Sequence, residues 1–99
     1  MLEDLYQKYG EDFPWWEPED MTPAERQLQR EVTAGHPLYG RALRGLARSG
    51  ARDDVLFTDG EQYVLVHLTW GVGNADYPRF QLFDTAAEAM AAIEREISG

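Results

Sequence analysis

The chain contains no cysteine, which excludes a disulfide framework, a thiol nucleophile and any cysteine-based zinc site. Bases are scarce: nine Lys and Arg stand against 18 Asp and Glu, a formal charge of −9. The only histidines are His36 and His67. No His-Glu-x-x-His pair occurs, and no serine occupies a nucleophile elbow. No apolar run approaches the roughly 20 residues needed to cross a bilayer. The first residues, Met1 to Tyr6, are acidic where a secretory signal would be basic and then apolar. These features point to a cytoplasmic protein of bacterial style. No membrane contact, cofactor or metal ion is expected.

What is present defines one small core. A chain of 99 residues suffices for a single domain spanning 1–99, and 43% hydrophobic content argues against disorder throughout. The charge falls in blocks. Residues 1–25 carry about −7, residues 26–52 about +5 through six arginines, and residues 53–99 about −7. Only the middle block offers a basic face of the kind that binds a phosphate backbone, and its acidic neighbours in sequence are better placed to compensate it, so nucleic acid is disfavoured. A basic protein is the more natural partner, because complementary potential speeds encounter and fixes register. The plain alternative is that the acids simply solubilise the surface.

Residues 1–21 form an acidic aromatic segment, with Leu2, Leu5, Tyr6 and Tyr9 at helical spacing followed by Phe13, Trp15 and Trp16. Gly10, Pro14 and Pro18 rule out a long helix. The segment is either a lid over the core, which large aromatics favour, or an arm carrying anchors for a partner. Residues 22–99 constitute the α+β core. Thr22-Pro23-Ala24-Glu25 predicts a helix start with Thr22 as N-cap and Glu25 closing a capping box, and Gly35 predicts its stop. Its apolar stripe of Ala24, Leu28 and Val32 is narrow. Residues 41–48 carry a helical stripe against Gly40 and Gly45, so pattern alone favours helix there.

Residues 53–70 hold the densest β-branched run. With Asp59-Gly60 as a two-residue turn, Thr58 faces Glu61 and Arg52 faces His67; a longer turn puts Asp53 opposite His67. Strand period two groups Val55, Phe57, Val64, Val66, Leu68 and Trp70 on one face. Asp54, Leu56, Tyr63, Leu65, His67 and Thr69 share the other. Residues 71–78 form a loop. Gly71-Val72-Gly73 lacks the third glycine, the lysine and the following helix of a phosphate loop. Residues 79–83 form a strand. Thr85 and Glu88 cap a second helix whose buried stripe is Ala86, Met90, Ile93 and Ile97. The expected architecture is α+β, with an antiparallel sheet of three or four strands centred on residues 53–70. An N-terminal and a C-terminal helix flank it, both on one face.

The strings His36-Pro37-Leu38-Tyr39-Gly40, Asp53-Asp54-Val55-Leu56-Phe57 and Val66-His67-Leu68-Thr69-Trp70, with Pro78 beyond, resemble a group of small uncharacterised bacterial proteins. That group carries an HPLxG…DDVLF…VHLTW…P pattern. No activity comes with the resemblance. It implies a strand over residues 41–48, since the relatives are richer in β-branched residues there.

The sharpest chemistry lies in Asp53, Asp54, His67 and Thr69, with His36 as a further member. A carboxylate beside an imidazole orients it and raises its basicity, the base half of many hydrolytic sites. The same residue types can bind a metal, and a His-Asp pair on a sheet is most often structural. Trp15, Trp16, Tyr63 and Trp70 are the candidate binding aromatics. Three functions follow as expectations. The first is an acidic protein-binding module, of the immunity-protein or antitoxin kind, that occludes a basic protein. The second is a small enzyme or ligand-binding domain built on the His-Asp pair, with Trp70 or Tyr63 lining a pocket. The third is an accessory structural subunit docking through Trp15-Trp16.

Overall fold

A computed structural model describes all residues except Val72, Ala75 and Gly99. In chain order the elements are α1 (Glu3–Tyr9), a 3-10 turn (Gly10–Asp12), β1 (Trp15–Trp16), α2 (Thr22–Glu31), β2 (Arg44–Ser49), β3 (Asp54–Thr58), β4 (Tyr63–His67), β5 (Arg79–Phe83) and α3 (Ala86–Ser98). The fold is α+β. The five strands form one antiparallel meander in the order β1-β2-β3-β4-β5. The fifth strand beyond the expected three or four is β1, where Trp15 pairs with Ser49 and Trp16 with Arg48. Residues 44–49 are a strand, not a helix, because a β-bulge at Gly45/Ala47 absorbs the segment's poor alternation.

Helices cover both faces of the sheet, which corrects the expectation of a single helical layer. On one face Trp15, Ala47, Leu56 and Leu65 pack with Leu2, Leu5 and Phe13 from the N-terminal segment and with Ala89 and Ile93 of α3. On the other, Val55, Phe57, Val64, Val66 and Leu68 pack against Ala24, Leu28 and Val32 on and just beyond α2, and against Leu38. Strands β3 and β4 therefore bury both of their faces, which is why Val55 through Phe57 and Val64 through Val66 are apolar without alternation.

The N-terminal segment packs onto the core. Leu2 is fully buried, Phe13 stacks with Tyr9 and meets Tyr6 edge-on, and Lys8 and the Tyr9 hydroxyl both reach Glu94 of α3. The α3 start forms as expected: Thr85 Oγ1 accepts the Glu88 N–H at 3.2 Å and donates to Glu88 Oε1 at 3.1 Å.

The α2 start differs from expectation. Met21 is the N-cap, Asp20 Oδ1 accepts the Thr22 N–H at 2.9 Å, and Glu25 turns away to accept the Gly45 N–H at 2.7 Å. Gly45 lies at the bulge, beyond the stretch of β2 that β1 pairs, and the Glu25 carboxylate satisfies its N–H there. α2 ends at Glu31, short of the stop expected at Gly35, with Val32 extended.

The β3–β4 register also differs. The connection is Asp59–Gln62, with Thr58 opposite Tyr63 and Asp54 opposite His67. Asp59 Oδ1 accepts the N–H groups of Glu61 (2.9 Å) and Gln62 (2.8 Å), and Gly60 takes φ +97°. A four-residue turn held by a side chain replaces the two-residue one. The register slips by two residues, an even number, so every side chain within β3 and β4 keeps its predicted face.

Candidate functional site

Asp54 opens β3 and His67 closes β4, directly opposite each other on the face covered by α1 and α3. His67 Nδ1 donates to Asp54 Oδ1 at 2.6 Å. The Asp54 carboxylate is 4% exposed, while His67 reaches solvent. The second oxygen, Oδ2, is buried and has no hydrogen-bond partner among the described residues. An unpaired buried carboxylate oxygen is costly, so this one stands out in an otherwise well-satisfied core.

Glu96, on the last turns of α3, joins the pair. One ligating atom from each of Asp54, His67 and Glu96 lies within 4.8 Å of the others. Burial, and then the negative charge of Asp54, push the Glu96 carboxyl above its ordinary range, while His67 and Arg52 pull the other way. Beside this cluster Glu96, Arg52, Asp12, Trp15 and Ser49 line a cavity of about 300 Å³. The arrangement is a half-buried imidazole oriented by a carboxylate, with a second carboxylate alongside.

The other predicted site residues are dispersed. Thr69 is not beside His67. Its N–H and hydroxyl bond Glu31 Oε1 at 2.7 and 2.8 Å, and the Trp70 N–H bonds Glu31 Oε2 at 2.8 Å. Glu31 terminates α2 on the opposite face, so the chain leaves the β4 plane after His67 and strand period no longer applies. Asp53 presents an exposed side chain, and its carbonyl accepts the Leu68 N–H at 2.9 Å. His36 lies across the sheet. Its Nδ1 accepts the Leu38 N–H at 3.0 Å and its Nε2 donates to the Pro78 carbonyl at 2.7 Å, so both nitrogens are engaged and the ring, packed near Phe80, pins a loop.

The candidate binding aromatics divide likewise. Trp15 is core and Tyr63 is partly buried against it. Trp16 is 50% exposed and Trp70 43% exposed, with Trp70 held at φ +57°. Trp70 is therefore not the core residue that alternation predicts. Trp16 stands opposite Arg48 in the register, and the Arg48 guanidinium lies 5.7 Å from the Trp70 ring centre. Two tryptophans thus flank one arginine at the β1 edge of the α2 face.

Two residues that matter escaped sequence reasoning. Glu31 sits three residues after Leu28, in line with the α2 apolar stripe, where an acid signals a buried acceptor. Glu96 borders Ile93 and Ile97 on the buried side of α3. A larger cavity of about 700 Å³ lies on the α2 face, floored by Leu28, Val32, Leu38 and Leu43 and rimmed by Arg41 and Arg44. It touches neither histidine. Its carboxylates are spoken for, Glu25 by Gly45 and Asp59 by the Arg41 guanidinium at 2.7 Å, so the concentration of reactive groups lies at Asp54, not here.

No helix among the described residues is long and apolar enough to cross a membrane. The chain matches none of the protein-family models, curated proteins or solved structures with which it was compared.

Proposed function

We propose that this chain is an acidic protein-binding module that occludes a basic protein partner, in the manner of immunity proteins or antitoxins, with Trp16 and Trp70 as its anchors. The observation that carries this reading is the pair of exposed tryptophans around Arg48. Large aromatics and arginine dominate binding hot spots, and burying a tryptophan against a partner removes an apolar surface that water otherwise wets. Glu17, Glu19 and Asp20 follow Trp16 directly, with Glu17 and both later acids exposed. The remaining acids of the N-terminal segment, Glu3, Asp4, Glu11 and Asp12, share one layer with Glu88, Glu94 and Glu96 of α3, whereas α2 carries two acids and two arginines. The exposed acids that directly follow the Trp16 anchor suit a basic partner.

The test is affinity capture with the tagged chain from its source cell at physiological salt, followed by mass spectrometry. One stoichiometric basic protein is expected, released by high salt and not captured by the Trp16→Ala/Trp70→Ala double variant. An empty capture, or the same proteins on wild type and double variant, removes the reading.

A second reading, a small enzyme or ligand-binding domain, is favoured by the 2.6 Å Asp54–His67 pair beside a cavity. Substitution of His67 by Ala with little loss of stability supports it; a sharp fall in melting temperature makes the pair structural.

A further inference from the structure

We infer that Asp54, His67 and Glu96 form a binding site for a divalent first-row transition ion, with one oxygen from each carboxylate and one imidazole nitrogen as ligands. The inference is independent of the protein-binding reading. Three observations carry it. The ligating atoms of the three residues fall within 4.8 Å of one another although they come from β3, β4 and α3, so the tertiary fold has brought them together. Asp54 is 4% exposed, and its Oδ2 has no hydrogen-bond partner among the described residues. A fold that buries a carboxylate normally gives both oxygens a donor or a cation, and here only Oδ1 has one. The site is also reachable, because His67 is about one-third exposed and Glu96 lines the adjoining cavity.

The donor set narrows the ion. One imidazole and two carboxylates, without thiolate, suit zinc, manganese or ferrous iron better than a soft ion, and three protein ligands leave positions for water. Bond lengths of about 2.0–2.2 Å place ligand atoms roughly 3–3.5 Å apart. Binding therefore requires the Asp54–His67 contact to open from 2.6 Å and Glu96 to close in. Both adjustments are side-chain rotations, and Glu96 rides on the last turns of a helix, where they cost least.

Two carboxylates at close range repel each other, and a cation placed between them removes that repulsion and satisfies Oδ2 in one step. Binding is thus expected to stabilise the fold. Arg52 is the nearby charge that opposes it, acting on Glu96 from the cavity wall.

Zinc chloride titrated calorimetrically into the metal-stripped full chain is the test. One ion per chain is expected, with a rise in melting temperature that grows with zinc concentration. His67→Gln and Glu96→Gln should each weaken the affinity by about ten-fold or more. Nuclear magnetic resonance of the wild-type histidine rings needs no variant: zinc should move the His67 signals and leave those of His36 unchanged. Absence of binding heat, wild-type affinity in both variants, or ring signals that stay fixed or shift together would overturn the site and leave only diffuse binding to surface carboxylates.

Discussion

Glu31 accepts two hydrogen bonds from Thr69, one from its backbone N–H at 2.7 Å and one from its hydroxyl at 2.8 Å. Its other oxygen takes the Trp70 N–H and the Gln27 side-chain amide, so a fully buried carboxylate is satisfied on both sides. This junction decides where β4 ends and turns Trp70 outward. It couples the last residue of α2 to the candidate anchor on the surface.

Removing the carboxylate should therefore damage both. Glu31→Ala leaves two backbone N–H groups and a hydroxyl without acceptor, a loss of about 3 kcal/mol in denaturant unfolding. The same variant should mobilise the Trp70 indole, seen as a red shift and loss of anisotropy in its fluorescence against a Trp15→Phe/Trp16→Phe background. A variant as stable as wild type would mean that water replaces Glu31 without cost.

Gly73 packs on the same junction. A Cβ added there would lie 1.7 Å from the Glu31 carbonyl oxygen, a distance no rotamer change relieves. Gly73→Ala should lower stability by more than about 2 kcal/mol, through displacement of the loop from the end of α2. An unchanged denaturation midpoint would show that the loop moves aside freely.

The N-terminal segment makes a prediction of a different kind. Leu2 has no solvent exposure although it is the second residue, and it packs with Leu5, Phe13 and α3. Leu2→Ala should cost about 2–4 kcal/mol by opening a cavity, while Trp16→Ala, at a half-exposed position, should cost less than about 1 kcal/mol. Partner capture should respond in the reverse order. If Leu2→Ala were silent, the segment would be an arm and not a lid.

Acid stability offers a fourth check. Two backbone N–H bonds, from Gln62 and Glu61, and then the Arg41 guanidinium hold the Asp59 carboxyl far below the ordinary carboxylate range. A depressed folded pKa contributes stability that is present above the unfolded value, near pH 4, and lost as pH falls through the folded value. The stability gap between wild type and Asp59→Asn should accordingly be constant at neutral pH and shrink as pH drops below about 4. A gap independent of pH between 6 and 2 would remove the assignment.

Much of this molecule was legible from residue patterns, and the gaps have physical causes. The partition of β3 and β4 into two faces was readable because it depends only on parity. The Thr85/Glu88 cap was readable because it is local. The β3–β4 register was not, since it rests on which backbone N–H groups the Asp59 side chain captures. The capping box at Thr22 failed because Glu25 found a better use at a bulge on another element.

The sequence by itself determined the class of fold, the two-faced hairpin and the placing of Asp54 and His67 on one face of it, because strand period acts over a few residues. Only the tertiary structure decided that Thr69 and Trp70 depart toward Glu31, that His36 is spent on a loop, and that Glu96 arrives beside Asp54. Each of those outcomes depends on a contact between groups at least 29 residues apart in the chain, where no periodicity reaches and only the closing of the core fixes who meets whom.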